Sequence, residues 1–102
     1  MLLMIAALAS APVALRCDLQ TVDKDPPMFV TLNDDARTVQ VTMDGRSYME
    51  DTVADGPLTF WQVRGTDGVT IRSRLNRADG TLTIASGGQL VKGTCQRAPR
   101  RF

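Results

Sequence analysis

The chain has 102 residues, of which 43% are hydrophobic, with 12 Lys and Arg, 11 Asp and Glu, two Cys and no His. A chain of this length forms at most one small domain. The absence of His removes the commonest general base and the commonest metal ligand. A net charge of +1 is not that of a nucleic-acid-binding protein.

The N-terminal segment has the features of a secretory leader. No charged residue occurs from Leu2 to Leu15, and small residues at 7 and 9 occupy the positions that a signal peptidase reads. We therefore expect a leader over 1–9, with about 15 as its furthest end, and a mature chain that starts at Ser10. The alternative is an apolar strand or helix that stays in the fold, since the segment is too short to span a membrane. Export to the periplasm or the extracellular medium follows.

The two cysteines lie near opposite ends of the expected mature chain, 78 positions apart. Neither belongs to a C-x-x-C motif or to a cluster of metal ligands. In an oxidising compartment this pattern predicts one structural disulfide between Cys17 and Cys95. The alternative is a pair of free thiols.

Turn sequences such as Asp44-Gly45 and Asp79-Gly80 recur along the chain about every 8–13 residues. Between them apolar and polar residues alternate with the period of a β-strand. The pattern predicts an all-β domain over 10–102, an antiparallel meander of seven or eight strands that closes or nearly closes into a barrel. A small β-sandwich is the alternative, and 97–102 would form a short basic tail. The expected strands lie near 15–22, 27–33, 37–43, 46–50, 58–64, 68–75, 80–85 and 89–96.

Two adjacent pairs of acids, Asp34-Asp35 and Glu50-Asp51, resemble the carboxylates of a hydrolase. Neighbours on a strand point to opposite faces, and residues on a turn point to water, so neither pair is arranged to share a proton. The serines have no His to activate them, and no calcium loop or phosphate-binding loop is present. The sequence therefore predicts no catalytic residue, no metal and no cofactor, with a carboxylate-dependent hydrolase as an alternative.

Charge is distributed unevenly along the chain. From 16 to 51 there are four basic and eight acidic residues, whereas from 52 to 102 there are eight basic and three acidic residues. One interpretation is a solvated face that pairs with the acidic half, and the other is a surface for an acidic protein or an envelope polyanion. Phe60 and Trp61 must face opposite sides of one strand, and the sequence does not tell which is buried. The candidate partner-binding residues are Tyr48, Trp61, Arg64, Arg72 and Arg74.

The chain resembles the periplasmic C-type lysozyme inhibitors in three short features: Gly45-x-x-Tyr48, Phe60-Trp61-x-x-Arg64-Gly65, and Cys95 near the end. That family has the motif Ser-Gly-x-x-Tyr and a later Phe-Trp-x-Lys-Gly before a cysteine. The resemblance implies a small β-barrel whose loop enters the lysozyme cleft, where a Ser and a basic residue contact the catalytic acids. In this chain Asp44 stands at the position of the Ser, and Arg64 stands one residue beyond that of the Lys.

The interpretation favoured by the sequence is an exported β-domain that acts by binding or as an envelope component, without catalysis. An inhibitor of a lysozyme-like hydrolase, acting through an Arg- and Trp-rich surface, is one alternative. A purely structural envelope protein without a binding site is another, and a concave pocket lined by Trp61 and arginines would count against it.

Overall fold

A computed structural model of the chain describes residues 12–20, 26–65 and 67–98. The expected leader over 1–9, the expected mature start at Ser10 and the tail beyond 98 lie outside the described residues. The described residues form β-strands joined by turns, and they contain no helix that is long and apolar enough to span a membrane. The strands are β1 (Val13–Leu19), β2 (Met28–Asn33), β3 (Thr38–Met43), β4 (Arg46–Asp51), β5 (Val53–Asp55), β6 (Leu58–Arg64), β7 (Thr70–Asn76), β8 (Thr81–Ser86) and β9 (Gln89–Arg97).

All nine strands belong to one antiparallel sheet, in the order β4-β3-β2-β1-β9-β8-β7-β6-β5. Each strand is hydrogen-bonded to its neighbour in sequence except at β4 and β5, and the first strand pairs with the last. The chain passes from β4 to β5 through Thr52 alone, so one continuous segment pairs first with β3 and then with β6. The sheet is therefore a nearly closed barrel, as the sequence predicts, and not a sandwich of two sheets.

The alternation along each strand places one set of side chains in the core. In β2, for example, Met28, Val30 and Leu32 are buried while the residues between them are exposed or half-buried. Hydrophobic burial of this kind is the main favourable contribution to folding. The buried hydrophobic residues are Cys17, Met28, Val30, Leu32, Val39, Val41, Trp61, Leu75 and Leu82.

The disulfide joins the middle of β1 to β9. Cys17 and Cys95 are direct partners in the register of these strands, with their Cα atoms 4.0 Å apart. The backbone N–H of Cys95 donates to the carbonyl of Gly80 at 2.7 Å, on the β8 side of the strand. The disulfide therefore joins two opposite residues of β1 and β9 that exchange no backbone hydrogen bonds with each other. At such pairs the side chains of the two strands are closest. The expected pairing is confirmed, and neither cysteine is free.

The strands differ from the sequence prediction in number and in several boundaries: β1 ends at Leu19 and not near 22, and β7 begins at Thr70 and not near 68. The described residues form nine strands in place of seven or eight, because Val53–Asp55 forms a short strand where the sequence predicts a turn over 54–57. The first strand begins at Val13, two residues earlier than predicted. Val13 and Leu15 pack against the core, so a leader that ended at about 15 would remove part of β1.

Two turns show why particular glycines are needed. At the tip of the β3–β4 hairpin, Asp44 and Gly45 have φ values of 52° and 78°, as a two-residue type I′ turn requires. Gly80 ends the loop between β7 and β8 with φ 78°, and a Cβ atom at this position would lie 2.5 Å from the carbonyl oxygen of Cys95. Gly80 is thus needed both for its backbone conformation and for the close approach of β9.

Candidate functional site

The outer side of strands β6 to β9 carries positive charge. These four strands contain five Arg and Lys residues and no Asp or Glu. Four of the cations are exposed on the outer side, at alternating positions of β6, β7 and β9, and we call them the basic face: Arg64, Arg72, Arg74 and Lys92. Cations of the second half of the sequence are therefore concentrated on one side of the barrel.

The register of the strands places two of these cations, Arg74 and Lys92, in one row across the sheet. Arg74 lies directly opposite Phe60 on one side and Thr83 on the other, and Thr83 lies opposite Lys92. Since adjacent strands are about 4.8 Å apart, this row spans about 14 Å. We call these four residues the cross-strand row. Arg72 is two residues from Arg74 on β7, about 7 Å along the strand.

The described ion pairs leave the basic face out. Arg16 Nε lies 3.5 Å from Asp18 Oδ1 on β1, and Arg77 Nη1 lies 2.8 Å from Asp34 Oδ1, which joins two loops at one end of the barrel. No described carboxylate lies within ion-pair distance of the four cations of the basic face. The interpretation in which the acidic half neutralises these arginines is therefore not supported by the described contacts.

Two acids in the loops beside the basic face accept hydrogen bonds within their own turns. Asp67 Oδ1 accepts a hydrogen bond from the backbone N–H of Val69 at 3.0 Å, and Asp79 Oδ1 accepts one from the N–H of Thr81 at 2.8 Å. The hydrogen bond from the Thr81 backbone holds the pKa of Asp79 below its usual value. Both carboxylates stabilise turns, in the way that Asp commonly does.

Two of the predicted partner-binding residues, Trp61 and Tyr48, point to the inner side of the barrel. Trp61 is 4% exposed, and its Nε1–H donates a long hydrogen bond of 3.4 Å to the hydroxyl of Tyr48, which is half-buried. Burial raises the pKa of the Tyr48 phenol above its usual value. This contact joins β4 to β6 across the break in the sheet. The sequence left open whether Phe60 or Trp61 is buried, and the structure shows that Trp61 is. The rings of Trp61 and Tyr48 belong to the barrel interior, and their part in partner binding stays a prediction.

Phe60, which precedes Trp61, lies on the outer side and is half-buried. The sequence carried a signal for this arrangement: Gln62 and Arg64 share the alternation of Phe60, and such polar side chains seldom face a small core. Arg72 and Arg74 share the outer side of β7, as their spacing predicts. Arg64 on β6 lies on the same side of the sheet, whereas Trp61 and Tyr48 face inward.

A groove of about 520 Å³ opens at the break in the sheet, between β4 and β6. Its volume falls in the range of ligand-binding pockets. Its walls combine carboxylates from β4 with a cation from β7, and its lining residues are Glu50, Asp51, Val53, Phe60, Trp61, Gln62, Arg72 and Ser73. The groove includes Trp61 but one arginine alone, Arg72, among the described residues.

The side chains of the two acidic pairs considered for catalysis do not face each other. Asp34 and Asp35 are exposed on the loop between β2 and β3, where Asp34 binds Arg77. Glu50 and Asp51 are neighbours on β4 and therefore point to opposite sides of that strand. In the part of the chain that the structure describes, no three His, Cys, Asp or Glu residues are grouped as metal ligands would be.

The motifs that resemble the lysozyme inhibitors meet in space. The Gly45-x-x-Tyr48 motif begins at the tip of the β3–β4 hairpin, and the Phe60-Trp61 motif runs along β6 toward Gly65. The hydrogen bond between Trp61 and Tyr48 connects them. Asp44 at the hairpin tip and Arg64 at the end of β6 are both exposed.

Sequence reasoning missed two residues of the outer surface, Thr83 and Lys92. Alternation shows that each faces outward on its own strand, but it does not show which residues of different strands lie side by side. The register between β7, β8 and β9 supplies that information.

Comparisons of the chain with models of protein families, with characterised proteins and with solved structures find no match.

Proposed function

We propose that this chain is a small exported protein that binds an acidic partner through its basic face and catalyses no reaction. The observation that carries the proposal is the set of four exposed cations on strands that contain no carboxylate. The partner is an acidic protein or an envelope polyanion. The leader-like sequence over 1–9 and the disulfide support export, since such bonds persist in oxidising compartments.

The physical chemistry of the basic face suits such a role. The guanidinium group of Arg presents donors in a planar fork that matches a carboxylate, and three of the four cations are Arg. A single exposed ion pair contributes only about 0.2–1 kcal/mol, so binding depends on several contacts at once. We therefore expect affinity that falls as salt concentration rises, because exposed charges are screened.

The experiment is retention of the disulfide-bonded chain on immobilised polyglutamate over a salt gradient. The double variant Arg72→Gln/Arg74→Gln should elute at much lower salt than the unchanged chain. The matched control is Arg16→Gln/Arg46→Gln, which has the same net charge but removes cations outside the basic face, and it should elute close to the unchanged chain. Equal shifts for both variants would show that only net charge matters and would refute the proposal.

A second candidate function is inhibition of a lysozyme-like hydrolase. The contact that favours it is the hydrogen bond between Trp61 and Tyr48, which joins the two motifs of the resemblance in one part of the barrel. In this candidate the tip of the β3–β4 hairpin enters the cleft of the enzyme, and Arg64 contacts a catalytic carboxylate. Asp44 opposes this role, because it would bring a negative charge to that cleft.

A turbidity assay of cell-wall lysis by a C-type lysozyme tests this candidate. We expect Asp44→Ser to strengthen inhibition and Arg64→Gln to weaken it, because both changes act on the charge that faces the catalytic acids. Arg74→Gln is the matched control, because it removes one exposed Arg of β7 that lies four residues along the strand from the position opposite Arg64. An assay in which neither the unchanged chain nor Asp44→Ser slows lysis would eliminate the candidate.

A further inference from the structure

We infer that the acidic partner is an anionic polysaccharide, which lies across the strands along the cross-strand row. This inference rests on the proposed function and specifies its ligand. The row places Phe60, Arg74, Thr83 and Lys92 next to one another on β6, β7, β8 and β9. The row offers an aromatic ring, a cation, a hydroxyl group and a second cation, and this order fits a sugar chain that carries acidic groups.

The two cations of the row are separated by one neutral residue. Arg74 and Lys92 lie two strands apart, about 10 Å across the sheet, with Thr83 between them. A polysaccharide with a carboxylate on alternate sugars would place one anionic group at each cation. The uncharged sugar between them would then lie over Thr83, whose hydroxyl both donates and accepts hydrogen bonds.

The neutral residues around the row also favour a hydroxyl-rich ligand. Phe60 is half-buried at one end of the row, where part of its ring can pack against the C–H groups of a pyranose. The other uncharged positions on the outer side of these strands are mostly Thr, Asn and Gln, whose side chains bind hydroxyl groups. They include Gln62, Thr70, Asn76, Thr81 and Thr94.

The same side of the barrel is less suited to binding a protein or a membrane. Trp61 and Tyr48, the side chains that would anchor a protein interface, face inward. Phe29 and Met49, which are 45% and 61% exposed, lie on β2 and β4 and not on the strands of the basic face. Insertion into a lipid surface needs several apolar side chains beside the cations. Among the described residues, two single exposed ones flank the basic face on opposite sides: Val53, 67% exposed, lies opposite Phe60 on β5, and Leu90, 68% exposed, lies on β9.

The experiment is calorimetric titration of the disulfide-bonded chain with hyaluronan fragments, which carry a carboxylate on alternate sugars. We expect binding to hyaluronan and none to dextran, its uncharged comparator. The variant Arg74→Gln/Lys92→Gln should weaken binding by roughly 20-fold, since each exposed charge contact contributes up to about fivefold. Arg16→Gln/Arg46→Gln, with the same net charge, should change affinity by less than about twofold.

Thr83→Val distinguishes a sugar chain from other polyanions, because it keeps the shape and the charge of the surface and replaces one hydroxyl group with a methyl group. It should weaken binding to hyaluronan by about threefold and leave binding to polyglutamate unchanged. Binding to polyglutamate or to phosphatidylglycerol vesicles, without binding to hyaluronan, would overturn the polysaccharide inference and leave the proposed function standing. Failure to bind any of these polyanions would overturn both.

Discussion

The disulfide between Cys17 and Cys95 should contribute a large part of the stability of the domain. The two residues are 78 positions apart, so the bond closes a loop that contains most of the chain. In the chain-entropy model a cross-link over such a loop removes about 4.5 kcal/mol of conformational freedom from the unfolded state at 25 °C. The total stability of a small domain is about 5–15 kcal/mol, so we expect reduction to remove about a third of it or more.

The folded state itself should change little on reduction. Strands β1 and β9 remain hydrogen-bonded over the register from Leu15 opposite Arg97 to Leu19 opposite Gly93. Cys17 is 0% exposed, and its sulfur stays buried after a small side-chain adjustment that separates the two thiols. The loss of stability should therefore arise in the unfolded chain, which becomes less restricted, and not from lost packing.

Urea denaturation of the oxidised and reduced protein measures the difference. We expect the free energy of unfolding to fall by about 4 kcal/mol and the slope against urea to rise, because the reduced chain exposes more surface when unfolded. The variant Cys17→Ala/Cys95→Ala should be less stable than the reduced protein by about 1–2 kcal/mol, since it also removes buried sulfur atoms. A loss on reduction of less than about 1 kcal/mol, with an unchanged slope, would refute the entropic account.

Two further predictions concern pH and the turns. The pKa of Tyr48 is raised above 10.0 in the folded state. The contribution of its protonated phenol to stability is therefore complete below pH 10 and is lost as pH rises through the folded pKa. The free energy of unfolding, measured from pH 8 to 11, should decline by up to about 1.4 kcal/mol per pH unit, and Tyr48→Phe should lack this decline. Identical pH profiles would contradict this assignment. Gly80→Ala should destabilise by about 3 kcal/mol, because strain at positive φ adds to the clash with Cys95. Gly88→Ala, with φ 84° but open space, is the control and should cost about 1 kcal/mol in thermal or urea unfolding.

Most of the barrel could be predicted because its signals are local. Asp44-Gly45 specifies a tight hairpin by itself, and alternation over six residues specifies which side of a strand is buried. Strand β5 escaped prediction for the same reason, because the three residues Val53–Asp55 are too few to show a period and they lead directly into Gly56-Pro57. It forms because β6 offers an edge for the chain that leaves β4.

The site was harder to predict because it depends on which strands are neighbours. Arg72 and Arg74 could be placed on one side of a strand from their spacing alone. Their relation to Thr83 and Lys92 depends on the register of three strands, which the sequence leaves undetermined. A shift of one residue between β8 and β9 would turn Lys92 to the opposite side of the sheet.

The inward position of Trp61 changes what kind of binding this surface can support. An exposed Trp would have provided a large apolar contact whose contribution is insensitive to salt. With Trp61 in the core, binding at the basic face would depend on exposed charges and hydrogen bonds. Each of these contributes little to the binding free energy, so a ligand with many repeated contacts is needed. A repeating ligand meets that condition because every bound unit raises the effective concentration of the next. The packing of Trp61 against Tyr48 thus joins β4 to β6 across the break in the sheet, and it leaves on the outer side the exposed charges that we propose bind a polymeric, charged partner.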